Sequence, residues 1–278
     1  MSRVALITIA RGRHAHWLRQ SDAVRRSERA PDDRILVTMG DSELAELARA
    51  DPSGVHVVEL PGAAPELPLA RARNAGAEAA LARGADVLVF LDVDCLPVPG
   101  LLGAYADAAA LPAVGARLLC GPVTYLEPPP ATGYALDQLP DCPHPARPAP
   151  APGKVLLGDD PDLFWSLSFA LTAESWRRIG GFCEEYIGYG GEDTDFGHTA
   201  RERGVGMAWV GSARAHHQHH EVEDPPLRHL DAILRNGALF AERWGRWPMA
   251  GWLDAFADRG LVERTSDGGY RQVGAPLG

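Results

Sequence analysis

Two aspartates separated by one residue follow a wholly apolar segment in the first half of the chain. Asp92 and Asp94 come directly after the predicted strand Asp86–Leu91. Alternate residues of a strand point to one face, so the two carboxylates share a side if the strand geometry continues. Mg²⁺ and Mn²⁺ prefer oxygen ligands and bridge protein carboxylates to substrate phosphates. The pair therefore indicates a divalent cation site, and a solvated turn capped by an aspartate is the structural alternative.

A glycine-rich segment in the second half ends in a run of acidic residues, GYGGEDTD, at positions 188–195. Glycines let the backbone approach a ligand closely, and Tyr189 between them offers the flat apolar face that a sugar ring needs. The acidic run opens a predicted helix, where the helix dipole favours ionised carboxylates. Such a carboxylate suits a general base acting on a hydroxyl. The alternative is a glycine-rich turn with acidic capping.

Four of the ten histidines lie within five positions, in the segment His216–His220. Histidine is the commonest metal ligand in proteins. In an extended segment His217 and His219 face the same side, which makes them candidate ligands. A zinc site with four ligands is an alternative, although it lacks nearby cysteines, and an exposed polar loop is another.

Arginine supplies almost all of the positive charge, because Lys154 is the only lysine among 27 basic residues. Guanidinium groups can fork two phosphate oxygens at once. Taken one at a time, arginines that follow strands are more often solvent-facing. The candidates for a diphosphate are Arg11, Arg13, Arg71 and Arg73.

Length and composition limit the classes of protein that fit. The chain has 278 residues, with 46% hydrophobic and 23% charged residues, which predicts one large globular domain or two small ones. The net charge of −10 argues against a surface that binds nucleic acid or anionic lipid as a whole. No apolar run is long enough for a membrane span or signal peptide, and the four cysteines form no CxxC pair. We therefore expect a cytoplasmic protein with reduced thiols.

Strands and helices alternate through the first 95 residues. This rhythm predicts an α/β fold with a mostly parallel sheet, whose ligands bind beyond the carboxyl ends of the strands. Polar residues collect at that rim: Arg11, Arg13, Asp41, Asp92 and Asp94. The predicted strands are Val4–Ala10, Arg34–Met39, Val55–Leu60 and Asp86–Leu91, and the predicted helices are His14–Ala30, Ser42–Arg49 (with Ser42 as N-cap) and Leu69–Arg83.

The second half is less regular. Its proline-rich stretch Pro128–Gly153 predicts an extended loop without packed structure. The predicted strands are Arg117–Tyr125, Leu163–Leu171 and Gly206–Val210, and the predicted helices are Leu101–Ala110, Ala173–Ile179, Asp193–Arg203 and Leu227–Trp244.

Three blocks in this order resemble the GT-A glycosyltransferases, and most closely a family-2-like enzyme with a galactosyltransferase-type C-terminal module. The blocks are LVFLDVDCLP, GGFCEEYIGYGGEDTDF and a histidine after the next strand. Residues 11–16 and 69–76 add to the resemblance, which covers about residues 3–220. It implies a single GT-A domain with a nucleotide-sugar half (1–110), an acceptor and catalytic half (111–225) and a helical tail (226–278).

The resemblance also implies roles for individual residues. Asp94 and a histidine, either His217 or one of its rivals His216 and His219, would hold the metal. Asp193 would be the catalytic base, and Glu192 would hold the transferred sugar or the acceptor. The residues implied in nucleotide-sugar binding are Arg11, Arg13, Asp41, Arg73, Asp92, Val93, Asp94, Tyr189, Gly190 and Gly191. The family has Trp where Tyr189 stands and an acidic residue where Thr194 stands, so the donor sugar is left open.

The resulting expectation is transfer of a hexosyl group from a UDP-sugar to an unidentified acceptor hydroxyl, with inversion and with Mn²⁺ or Mg²⁺ as cofactor. Neither a nucleic acid partner nor an integral membrane segment is expected. The main alternative is a metal-dependent phosphodiesterase or hydrolase that uses Asp92, Asp94 and the histidines. A nucleotidyltransferase and a non-catalytic sugar-binding module are further alternatives.

Overall fold

The computed structural model describes residues 2–62, 66–221, 223–266 and 268–273. Its first half has the predicted alternation of strands and helices. Strands β1, β2 and β4 are buried along their whole length, as expected for apolar strands covered on both faces. The elements are β1 (Val4–Ala10), α1 (His14–Arg25), β2 (Asp33–Met39), α2 (Ser42–Arg49), β3 (Val55–Leu60), α3 (Leu69–Ala82) and β4 (Val87–Leu91).

The second half adds shorter strands and the remaining helices. Short 3₁₀ helices lie at Leu136–Gln138, Pro161–Leu163 and Leu227–His229. The other elements are β5 (Cys95–Pro97), α4 (Leu101–Ala110), β6 (Leu118–Cys120), β7 (Val123–Tyr125), β8 (Val155–Gly158), β9 (Ser168–Thr172), α5 (Ala173–Ile179), α6 (Glu192–Glu202), β10 (Met207–Val210), β11 (Ala215–His217), α7 (Leu230–Trp244), α8 (Ala250–Asp258), β12 (Val262–Arg264) and β13 (Tyr270–Gln272).

An eight-stranded sheet with the order β3-β2-β1-β4-β9-β6-β10-β8 forms the centre of the molecule. The β3-β2-β1-β4 half is parallel. The other half is mixed, because β9 runs antiparallel to both β4 and β6, and β8 runs antiparallel to β10. Two large clusters of buried apolar side chains pack on the sheet. The predicted α/β GT-A class is confirmed as a mixed α/β fold with a large central sheet.

A second sheet, with the order β5-β11-β7, lies beside the first. The sequence predicts one strand over 117–125, but the structure divides it into β6 in the large sheet and β7 in the small one. The division falls at Gly121, where a Cβ atom would lie 1.9 Å from the Ala213 carbonyl oxygen. Only glycine allows this close backbone crossing.

Other local predictions differ from the structure. The helix predicted over His14–Ala30 ends already at Arg25. The N-cap of α2 is Asp41, whose side chain accepts the Leu44 N–H, and not Ser42. The strand predicted from Leu163 begins only at Ser168, since Pro161–Leu163 is a 3₁₀ helix capped by Asp160.

A further difference is in the proline-rich segment, which packs in part. Tyr134, Leu136 and Leu139 contact an apolar cluster that contains Leu96, and Arg147 is buried.

No helix among the described residues has the length and apolar character needed to cross a membrane. The three-part division at residues 110 and 225 stays a prediction, as does a cytoplasmic location. Residues 274–278 of the predicted tail lie outside the described residues.

Candidate functional site

The turn after β4 is fixed by buried polar contacts. The Asp92 N–H donates to the Leu167 carbonyl at 2.9 Å. Gln20, a fully buried residue of α1, donates to the carbonyls of Asp92 and Cys95 at 2.7 and 2.9 Å. The chain leaves the strand conformation here, and the two aspartates have different partners. Val93 between them is buried in an apolar cluster.

Asp94 lies against two histidines. Its Oδ1 is 3.4 Å from His217 Nε2, and its Oδ2 is 3.6 Å from His220 Nε2. One ligand atom from each of the three residues lies within 4.8 Å of the others. The small sheet brings them together, because β11 places His217 opposite Cys95, the residue after Asp94. The Gln218 N–H also donates to the Asp94 carbonyl at 2.7 Å.

This cluster fits a divalent cation. Asp94 Oδ1 is buried and has no hydrogen-bond partner among the described residues, a costly state for a carboxylate oxygen unless it receives a proton or a cation. One carboxylate with two imidazoles is a donor set suited to Mn²⁺ and similar metals. Burial lowers the pKa of His217, which favours the neutral imidazole that metals bind.

His220, and not the expected His219, completes the cluster. The expectation assumed that extended geometry continues to residue 219, but β11 ends at His217. Beyond this strand, His219 is not part of the cluster. Its backbone N–H donates to Tyr134 Oη at 3.0 Å. His216 faces away and contacts the Pro140 carbonyl. A spacing of three residues, as between His217 and His220, lets two side chains face the same side when the chain turns. That spacing could have pointed to His220.

Arg73 links the cation side of the site to the helix α6. This arginine is 4% exposed, and its Nη2 and Nη1 lie 3.4 and 3.3 Å from Asp92 Oδ1 and Glu192 Oε1. Burial raises the pKa of both Asp92 and Glu192 to about 7, while the charge of Arg73 opposes the rise. Arg71 is exposed instead.

Asp193 occupies the first turn of α6. Its Oδ1 accepts the Thr194 N–H at 2.7 Å and lies 3.3 Å from the Thr194 hydroxyl. Burial raises the pKa of Asp193, while the charge of Arg73 and hydrogen bonds from the backbone of Thr194 and Ser166 act against it. A half-buried carboxylate with a raised pKa at a helix N-terminus suits general-base chemistry.

The loop before α6 depends on glycine and on one buried asparagine. Gly190 and Gly191 have φ values of +93° and +90°, and a Cβ on Gly190 would lie 2.6 Å from Met249 Sδ. Asn236 of α7 donates to the carbonyls of Ile187, Tyr189 and Gly190. Asn236 is not among the residues expected from the sequence, although an asparagine on the apolar face of a helix is a signal.

Tyr189 stands at the surface of this loop. It is 39% exposed, and its ring stacks on His229 with centroids 4.6 Å apart. An exposed aromatic ring held in one orientation can pack against a flat ligand.

The loop after β1 carries the first arginines. Gly12 and Arg13 have left-handed backbone conformations, with φ of 63° and 58°. Asp41 supports this loop, accepting the Gly12 N–H at 2.6 Å and contacting His14 Nε2 at 3.0 Å. Within the described residues neither Arg11 nor Arg13 forms an ion pair, and the Arg13 charge contributes to the lowered pKa of His217. Arg13 therefore acts on the cluster without a carboxylate partner among the described residues, whereas Asp41 is engaged by the protein itself.

Part of the site matches a family model. Residues 162–223, which include α6, β10 and β11, match the N-terminal domain of galactosyltransferase. Two curated relatives are named validoxylamine A glucosyltransferase. The one from Streptomyces hygroscopicus subsp. jinggangensis is 30% identical over 176 residues, covering 55% of this chain and 41% of the relative. The one from subsp. limoneus is 30% identical over 176 residues, which cover 55% of this chain and 38% of that relative. The chain spans about two fifths of the length of these relatives.

Solved structures of low sequence identity share the fold. GalNAc-T7 with UDP, GalNAc and Mn²⁺ superposes with a TM-score of 0.54 at 12% identity, over 94% of this chain and 57% of that one. The mannosyltransferase PcManGT from Pyrobaculum calidifontis, in complex with GDP-Man and Mn²⁺, superposes with a TM-score of 0.53 at 16% identity. The match covers 89% of this chain and 66% of that one. S. aureus TarS 1–349 superposes with a TM-score of 0.56 at 12% identity, over 85% of this chain and 64% of that one. The chain therefore has the GT-A fold of these structures, and it is similar in sequence to the two curated glucosyltransferases.

Proposed function

We propose that this protein transfers a hexosyl group from a nucleotide sugar, a UDP-sugar by resemblance, to an acceptor hydroxyl, with inversion at the anomeric carbon. The observation that carries the proposal is the cluster of Asp94, His217 and His220 at the same rim as Arg73 and Asp193. The relatives named as glucosyltransferases support the reaction class. Because they are matched over less than half of their length, the substrates remain part of the proposal.

Departure of the nucleoside diphosphate is the difficult step, since negative charge grows on its β-phosphate. A divalent cation, when bound, supplies Lewis-acid stabilisation of that charge. Asp94, His217 and His220 would hold it, and Mn²⁺ in two neighbouring structures supports the choice of metal. Arg11 and Arg13 would orient the diphosphate with guanidinium groups that have no carboxylate partner among the described residues.

The acceptor hydroxyl must lose its proton as it attacks. Asp193 would accept this proton while the hydroxyl attacks the anomeric carbon from the face opposite the leaving group, so one displacement inverts the configuration. Arg73 would keep the carboxylates of Asp92 and Glu192 in place through its ion pairs. Glu192 would then contact a hydroxyl of the sugar or the acceptor.

The hydrolase alternative has less support. It needs Asp92 and Asp94 to act together on metal ions, but Asp92 pairs with Arg73 and is not in the cluster with Asp94. A hydrolase of this kind also does not require Tyr189, an exposed aromatic residue between two glycines.

The test combines a donor panel with one variant. We expect UDP-sugars with Mn²⁺ to raise the melting temperature more than GDP- or dTDP-sugars, and the chain to release UDP with an acceptor present. Asp94→Ala should abolish the Mn²⁺-dependent part of UDP binding in calorimetry, because it removes the carboxylate of the cluster.

Asp107→Ala is the matched control, since Asp107 is an exposed aspartate of α4. Unchanged UDP affinity with Mn²⁺ in the Asp94 variant would count against the cation site. Phosphate release without any acceptor would favour the hydrolase.

A further inference from the structure

The strand β8 forms an open edge of the large sheet. It pairs with β10 on one side and is last in the strand order of the described sheet. Three consecutive apolar side chains on it are exposed: Val155 by 36%, Leu156 by 50% and Leu157 by 53%. An edge strand with exposed apolar residues is a template for pairing with another strand.

The backbone of this edge is oriented for such pairing. Gly211 donates its N–H to the Lys154 carbonyl at 2.9 Å across the β8–β10 ladder. Backbone groups alternate in direction along a strand, so those of Leu156 also face β10, and those of Val155 and Leu157 face outward. Among the described residues no backbone group is bonded to that outward side.

Charge at the two ends of the strand makes it complementary to itself. The segment reads KVLLGDD over 154–160 and contains the only lysine of the chain. In an antiparallel pair, two residues that stand opposite each other either both direct their N–H and C=O groups toward the partner strand or both direct them away. With Leu157 opposite its own copy, Lys154 stands opposite Asp160 at both ends of the ladder. A parallel pairing in register would place Lys154 beside Lys154.

We propose that two copies of this protein associate through β8, around a two-fold axis that passes beside Leu157. Leu157 packs against its copy, Leu156 stands opposite Gly158 and diagonal to the Leu156 of the other copy, and two ion pairs between Lys154 and Asp160 fix the register. Lys154 is exposed and has no ion pair elsewhere among the described residues. Asp160 accepts the Asp162 N–H through one carboxylate oxygen and is also exposed.

Reversing the charges tests both the partner and the register. The native chain should sediment as a dimer, and Lys154→Glu or Asp160→Lys alone should each give monomers, because each sets like charges opposite. An equimolar mixture of these two variants should restore the dimer, since every pair across the axis is then attractive. The double variant Lys154→Glu/Asp160→Lys should dimerise by itself.

Hydrogen exchange gives a second measurement that does not depend on the substitutions. In the native chain the peptide over 154–160 should exchange more slowly as the protein concentration rises, because the Val155 and Leu157 amides become paired. Asp107→Lys is the control for reversal of an exposed charge, since Asp107 is an exposed aspartate of α4, and this variant should remain dimeric. Thermal unfolding checks that each variant is folded.

A native chain that is monomeric at all concentrations would overturn the proposal. A dimer that the charge variants leave intact, or a mixture that stays monomeric, would do the same. Binding of a monomer to lipid vesicles through Leu156 and Leu157 would assign this edge to a membrane surface instead.

Discussion

Asp193 shows how opposing local forces set the chemistry of one side chain. Burial raises its pKa, and the positive charge of Arg73 and two hydrogen-bonding neighbours lower it. The Thr194 hydroxyl, 3.3 Å from Asp193 Oδ1, is the neighbour that can be removed without changing the backbone. The base proposed for acceptor activation can therefore be tested through its titration.

Thr194→Val should shift the acid limb of the pH–rate profile to higher pH. Losing a hydrogen bond to the ionised form raises the pKa of Asp193 further, and a base acts only when deprotonated, so activity appears at higher pH. A net hydrogen bond of about 1 kcal/mol corresponds to about 0.7 pH unit. The profile of kcat/KM measures it, and Thr199→Val, later in the same helix, is the control. An unmoved acid limb would remove Asp193 as the base.

At the residue scale the sequence indicated Asp94, His217 and Asp193, because their types and order carry the resemblance. The structure brings His220 and not the expected His219 beside Asp94, since period-two alternation holds only within a strand and β11 ends at His217. The sequence did not indicate Gln20 and Asn236, whose roles depend on contacts with backbone distant in sequence. Such contacts leave little trace in a local pattern.

At the scale of elements, α7 connects the C-terminal region to the glycine-rich loop. Asp195, 1% exposed, accepts hydrogen bonds from Arg243 Nε at 2.6 Å and Trp244 Nε1 at 2.8 Å. Asn236, about two turns earlier in the same helix, contacts three loop carbonyls. The tail beyond residue 226 therefore includes a support for the site.

Asn236→Leu should lower the free energy of unfolding by about 1–3 kcal/mol, because three carbonyls lose their donor. It should weaken binding of a UDP-sugar more than binding of UDP, since the loop carries Tyr189, for which the resemblance implies a place in the sugar pocket. Denaturant titration and calorimetry measure the two effects. Glu242→Gln, at an exposed position of the same helix, should change neither. An equal loss of affinity for UDP and UDP-sugar would contradict the assigned role of the loop.

The elements that sequence predicted well are those with a local signal. β1, β3, α2, α4 and α5 have the predicted bounds, because apolar runs and helical periodicity extend over enough residues. The strands β5 and β11 of the small sheet were missed, and β7 was merged with β6 into one predicted strand, since three residues give no period and the pairing of these strands is long-range. These strands are what brings His217 to Asp94.

At the scale of the whole molecule, three segments far apart in the chain meet at one rim of the sheet. Arg73 pairs with both Asp92 and Glu192, and the small sheet sets β11 over the turn that follows β4. The order of strands and helices predicted the rim. The convergence itself came from the resemblance, because no local pattern specifies contacts between residues 94 and 217.

The most direct test of the account is a crystal structure with Mn²⁺ and UDP, in which anomalous scattering locates the metal. We predict one manganese peak about 2.2 Å from a carboxylate oxygen of Asp94 and from Nε2 of both His217 and His220. The UDP phosphates should complete its coordination and lie toward Arg11 and Arg13. A metal held without Asp94 and His220, or UDP phosphates bound away from this rim, would contradict the account.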